Sequence, residues 1–221
     1  MNRRQFHLCL AAALPGLAMA QADGSGDWFV FLETGRPTPD DKAAVAAMQR
    51  GHLDNFKRLF ADKKLLAAGP LRDPSRVKRG IVVVKAASRE ELLSYFQPDA
   101  YVRDGYMTAN AVPARANQSL HSEGIDPEGI EEVRIVLIGR DSAPVDAATA
   151  AARQTLLQSL LAQGRVGAWY TLHMGPVAEV LFARTTDTPA LQAALASYAG
   201  RADPGLPVEV WSQWLGKGVL R

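Results

Sequence analysis

Residues 81–96, Ile-Val-Val-Val-Lys-Ala-Ala-Ser-Arg-Glu-Glu-Leu-Leu-Ser-Tyr-Phe, change period partway along, and that change decides the fold. Ile81–Val84 is a β-branched run of strand type. Ser88-Arg89-Glu90-Glu91 then forms a capping box, so a helix is expected through Phe96. Working upstream, Gly69-Pro70 closes a short extended piece, Leu65–Ala68. A helix capped by Asp40 or Asp41 precedes it and runs to about Asp62. Trp28–Leu32 reads as a buried strand stopped by Gly35 and Pro37, and Tyr106–Val112 as the strand that follows the second helix. The order is strand, helix, strand, strand, helix, strand.

The remainder of the chain repeats that order. Strands are expected at Val133–Ile138, Ala168–Met174, Ala178–Ala183 and Pro207–Trp214, with helices at Ala147–Ala162 and from a Thr188 cap through Tyr198. Pro113–Glu131 is polar, holds two glycines and two prolines, and reads as a linker centred on 116–131. The expectation is an α+β chain of tandem ferredoxin-like units, residues 26–115 and 132–221. Each unit lays two helices on one face of a four-stranded sheet and must cover the other face. The second sheet, packed against it as an internal pseudo-dimer, is the expected cover; two separate domains that each pair with another chain are the alternative.

Residues 1–20 stand apart from this plan. Arg3 and Arg4, an apolar run from Leu8 to about Leu17, and Ala18-Met19-Ala20 have the layout of an export signal, so a periplasmic or secreted protein is expected. Arg3-Arg4-Gln5-Phe6 also resembles a twin-arginine signal, although Asn2 and His7 depart from it. Removing the segment takes both arginines and the only cysteine, Cys9. Basic and acidic residues are then in balance, which argues against a nucleic-acid partner, and no apolar run long enough for stable membrane insertion remains.

Two residues look like an acid/base pair. Met48, His52, Phe56 and Phe60 recur every fourth position, so His52 shares the helix face that meets the sheet. Asp99 follows the second helix, which neighbours the first in this fold. Burial disfavours an imidazolium and a nearby carboxylate favours it, and the two together suit a general base. The competing reading of the residues is a core histidine tied to a backbone carbonyl.

The first half also resembles the YCII-related (YciI-like) family over Asp27–Arg115. The marks are Gly51-His52-Leu53-Asp54, Leu66-Ala67-Ala68-Gly69-Pro70-Leu71, Arg79-Gly80-Ile81-Val82-Val83-Val84, Pro98-Asp99-Ala100-Tyr101-Val102 and Gly105. The resemblance implies a dimeric α/β-barrel fold and a His–Asp catalytic pair matching His52 and Asp99. It further implies small-molecule chemistry such as dehydrochlorination or lactone isomerisation. One departure is Asp99-Ala100, where the family usually has Asp-Pro.

Setting Leu59-Phe60-Ala61 over Leu160-Leu161-Ala162 puts Arg153 at the place of His52 and Asp203 near that of Asp99. The second half is therefore expected to be a degenerate copy, with Arg153 a solvated helix residue or a binder of carboxylates. Arg72 and Arg79, with Lys78, flank Gly69-Pro70 and are candidates for binding an anionic substrate. His173, in line with Trp169 and Thr171 on a strand, is a weak haem-ligand candidate against ordinary sheet packing, and His121 falls in the linker. No His or Cys pair has metal-ligand spacing, and no phosphate loop or Gly-x-Ser-x-Gly elbow is present. These readings converge on a cofactor-free lyase or isomerase acting through His52 and Asp99. The alternative is a non-catalytic small-molecule-binding or structural protein, and pairing into a homo-oligomer stays open.

Overall fold

The computed structural model describes residues 26–198 and 206–220, with residues 127 and 128 as backbone only. The export-signal reading falls on residues 1–20, outside the described residues. The first half holds β1 (Gly26–Thr34), α1 (Lys42–Ala61), β2 (Leu65–Pro70), β3 (Lys78–Ala86), α2 (Arg89–Ser94), α3 (Ala100–Arg103) and β4 (Met107–Gln118). The second holds β5 (Asp126–Gly139), α4 (Ala147–Ala162), β6 (Val166–Leu172), β7 (Val177–Ala183), α5 (Thr188–Leu195) and β8 (Val208–Lys217). Among the described residues no helix is long and apolar enough to cross a membrane.

All eight strands join one antiparallel sheet in the order β2-β3-β1-β4-β6-β7-β5-β8. The halves are thus joined edge to edge through β4 and β6, where Ala114 pairs with Leu172. A bridge between Leu71 and Gln213 brings the outer edges β2 and β8 together and curls the sheet into a nearly closed barrel. Gly69 permits that approach, because a β-carbon there would overlap the Trp214 carbonyl. The inner faces pack on one another as a single core that includes Phe29, Phe31, Ile81, Ile135, Tyr170 and Phe182. Each such side chain contributes about 1.5–3 kcal/mol by leaving water. The outer faces carry two further cores, one under α1 and α2 around Val30, Val82 and Phe96, the other under α4 and α5 around Val136, Leu160 and Leu181. Strand β1 has Phe29–Leu32 buried throughout because Phe29 and Phe31 face the interior while Val30 and Leu32 face the helices.

Two expectations need correction, and a third is refined. The linker over 116–131 is largely strand, since β4 runs to Gln118 and β5 begins at Asp126. What remains between them is tied inward, with Leu120 buried and its N–H donating to the Tyr170 hydroxyl at 3.0 Å. The cap of α5 is Asp187, whose carboxylate accepts from Ala190 N, in place of Thr188. On α1 the buried positions are His52, Asn55 and Leu59, while Phe56 and Phe60, half-buried, pack against the same core. Asn55 can be buried because its amide donates to the Tyr95 carbonyl (3.0 Å) and its oxygen accepts from Arg58 (2.7 Å).

Candidate functional site

His52 enters the site from the middle of α1, a helix capped by Asp41, which accepts from the N–H groups of Ala43 and Ala44. Asp99 enters from the start of α3, a single turn that periodicity cannot reveal. One oxygen of Asp99 caps that turn by accepting from Tyr101 N at 3.0 Å. The other lies 2.6 Å from His52 Nδ1, so the ring donates Nδ1–H to the carboxylate. Asp99 is fully buried and His52 nearly so. Ala100 stands at the first helical position, which also accepts proline, so the departure Asp99-Ala100 leaves this turn intact. Phe56 and Tyr101 flank the imidazole edge-on, at 4.4 and 5.5 Å between ring centroids.

With Nδ1 held by Asp99, Nε2 is the ring nitrogen left for chemistry. His52 lines a cavity of about 440 Å³ between α1 and the barrel seam. Its walls are mostly apolar: Leu32, Leu53, Phe56, Ala68, Ile81 and Met107 from the first half, Ile130, Trp214 and Leu215 from the second. The polar side chains on the lining are those of Gln49, His52 and Arg79. Asp99 sits behind the ring, off the cavity wall. The second-half wall was missed in the sequence. The signal that could have found it is the repeat itself: if β4 pairs with β6, pseudo-symmetry places β8 beside β2.

Arg79 reaches this cavity as expected. Arg72 does not line it; its guanidinium lies over the Trp214 ring at 5.1 Å, in an adjoining open cup of about 610 Å³ that Arg79 also lines. In the second half Arg153 is buried, which corrects the expectation of a solvated residue. Its Nη1 donates to Asp141 at 2.6 Å and its Nε to the Tyr198 carbonyl at 2.8 Å, so the guanidinium is paired inside the fold. Asp203 lies outside the described residues. His173 is exposed just after β6, where its backbone N–H still donates to Pro113 O at 3.1 Å. His121 is half-buried, with its N–H donating to Val219 O at 3.0 Å. Among the described residues no three or more His, Cys, Asp or Glu side chains are grouped to share a metal ion.

No protein-family model matches the chain, and no curated protein matches it. Solved structures do match in fold. A putative monooxygenase from Fusobacterium nucleatum superposes with a TM-score of 0.53 at 9% identity, over 90% of this chain and 98% of its own. Another, from Lactobacillus acidophilus, gives 0.50 at 8% identity over 86% and 93%. A mutant chlorite dismutase from Candidatus Nitrospira defluvii, in complex with cyanide, gives 0.53 at 14% identity over 86% and 91%. At these identities the likeness speaks for the fold: an α+β chain whose antiparallel sheet forms a nearly closed barrel of the dimeric α/β-barrel type.

Proposed function

We propose that this is an exported, YCII-like enzyme that performs cofactor-free acid/base chemistry, of lyase or isomerase type, on a small organic molecule. His52 is the proton acceptor and Asp99 fixes its tautomer. The carrying observation is the 2.6 Å contact between His52 Nδ1 and Asp99, made at the wall of a mostly apolar cavity of about 440 Å³. In that setting Nε2 takes a proton from an acidic carbon of the bound molecule. The imidazolium, stabilised by the buried carboxylate, then returns it to another atom or lets a leaving group depart.

The test is a thermal-shift screen of lactones, chlorinated phenols and carboxylic acids, followed by exchange of the acidic C–H of each hit in deuterated solvent. His52→Asn should keep binding and lose exchange by about 10²-fold or more. Equal exchange rates in wild type and variant would sink the dyad.

A second reading has an observation of its own. Asp99 also caps α3, so the pair fastens α1 to α3 and would serve a non-catalytic small-molecule-binding or structural protein equally well. Hits that bind both proteins and exchange in neither favour this reading.

A further inference from the structure

The connection between β2 and β3 is built differently from its counterpart in the second half. Residues 71–77 carry Arg72 and Arg76, with Lys78 and Arg79 opening β3, whereas the β6–β7 connection, residues 173–176, is shorter and has no Arg or Lys. One acidic residue lies in the loop, and its charge is spent on the loop. Asp73 is buried and accepts from Ser75 N (2.8 Å), Ser75 Oγ (2.7 Å) and Lys78 N (2.7 Å). Burial works against this carboxylate, but the Ser75 and Lys78 bonds outweigh it and hold the carboxyl below its usual range. The loop is clamped from β1 as well, where the Thr34 hydroxyl donates to the Arg76 carbonyl at 2.6 Å and Thr34 N to Val77 O at 2.8 Å.

Arg72, Arg76 and Arg79 therefore surround a fixed cup, while Lys78 at its edge holds its ammonium over the Phe31 and Trp211 rings, at 5.8 and 5.6 Å. Among the described residues none of Arg72, Arg76, Lys78 and Arg79 forms an ion pair. Arg72 attracts Glu132 weakly, but that carboxylate is already bonded to Arg134 at 2.8 Å. The cup shares Arg79 with the His52 cavity, and Arg72 lies over Trp214, which forms part of that cavity's wall.

We infer that the ligand of the His52 cavity is an amphipathic organic anion. Its apolar body lies against Trp214, Leu53 and Phe56, and its carboxylate or similar anionic head lies in the cup beneath Arg72 and Arg79. The inference rests on the reading of the His52 cavity as the functional site, but not on turnover there. A guanidinium fork binds a carboxylate in two parallel hydrogen bonds, which a neutral head of the same size cannot supply.

The experiment is calorimetric titration of the full chain with 4-phenylbutyrate and with 4-phenylbutyramide, which share a body and differ in charge. Wild type should prefer the carboxylate by about tenfold or more, and the preference should shrink with added salt. Arg72→Gln combined with Arg79→Gln should erase it, while Arg72→Lys with Arg79→Lys should retain part of it; both positions are exposed, so the fold tolerates the exchange. His52→Asn should keep the preference in full, which separates this inference from the catalytic reading. Equal binding of acid and amide, a preference that survives the double Gln exchange, or no binding of the acid at millimolar concentration would each overturn it.

Discussion

Beneath α1 the sheet presents Ala68 and Gly80; beneath α4 the matching positions hold Trp169 and Glu179. The correspondence comes from the ladders. β1·β3 breaks register after Leu32 and β5·β7 after Ile138, which sets Gly80, opposite Leu32, over Glu179, opposite Ile138. β2·β3 breaks after Leu65 and β6·β7 after Val166, which sets Ala68 over Trp169. In the second half Trp169 Nε1 and Thr171 Oγ1 both donate to Glu179 Oε2, at 2.6 and 2.9 Å, and the indole packs among Leu157 and Leu160. In the first half the same space, lined by Ala68, Gly80 and His52, is open. His52 and Arg153 each lie nine residues before the end of their helices, yet one borders a cavity and the other is sealed in an ion pair. One backbone plan thus carries a hole in one half and a plug in the other, and small side chains decide which.

The largest test is to pull the plug. Trp169→Ala should cost about 3–5 kcal/mol of stability, because a buried indole is lost and its space is only partly reclaimed. Urea unfolding measures the loss, and binding at His52 should be unchanged. A loss below about 1 kcal/mol would mean that the second half collapses readily, so its filling is not what distinguishes the halves.

Much of the fold was legible in the sequence, and the reasons are local. Ile81–Val84 and Val133–Ile138 announce their strands through β-branched runs, and the bounds of α4 follow from its unbroken alanine- and leucine-rich stretch. His52 stood out because an imidazole on a helix face that meets a sheet needs a partner. The structure supplies Asp99 at 2.6 Å. What stayed hidden is long-range. The seam that brings Trp214 to the cavity depends on Gly69 meeting a strand roughly 145 residues away, a contact no periodicity encodes. Arg153 was misread because burial of a guanidinium depends on where Asp141 and the Tyr198 carbonyl end up.

The converse exchange is gentler. Ala68→Trp places in the first half the side chain that the second half already accommodates, so the chain should fold with a loss of about 1–3 kcal/mol from crowding and from an indole N–H without a Glu179 beside it. The cavity should disappear, and every ligand found in the screen should lose binding. Retained binding would place the ligand elsewhere and remove the hole as the functional difference between the halves.

The smallest effect concerns the polar part of the plug. Burial pushes the Glu179 carboxyl above its ordinary value of 4.5, against the bonds from Trp169 and Thr171 and the charges of Arg115 and Arg140. A carboxyl whose folded value is raised binds its proton more tightly in the folded protein. Its contribution to stability is therefore complete below 4.5 and is lost as pH climbs through the folded value. Glu179→Gln keeps an acceptor for both donors and removes the titration. Near neutral pH the variant should be the more stable of the two, and toward pH 4 the unfolding curves should converge as the wild-type carboxyl gains its proton. Gly80 occupies the matching place in the first half and carries no such group, so this titration has no counterpart there. Parallel stability curves from acid to neutral pH would show that a buried carboxylate costs this half nothing, leaving volume as the sole basis of the contrast between hole and plug.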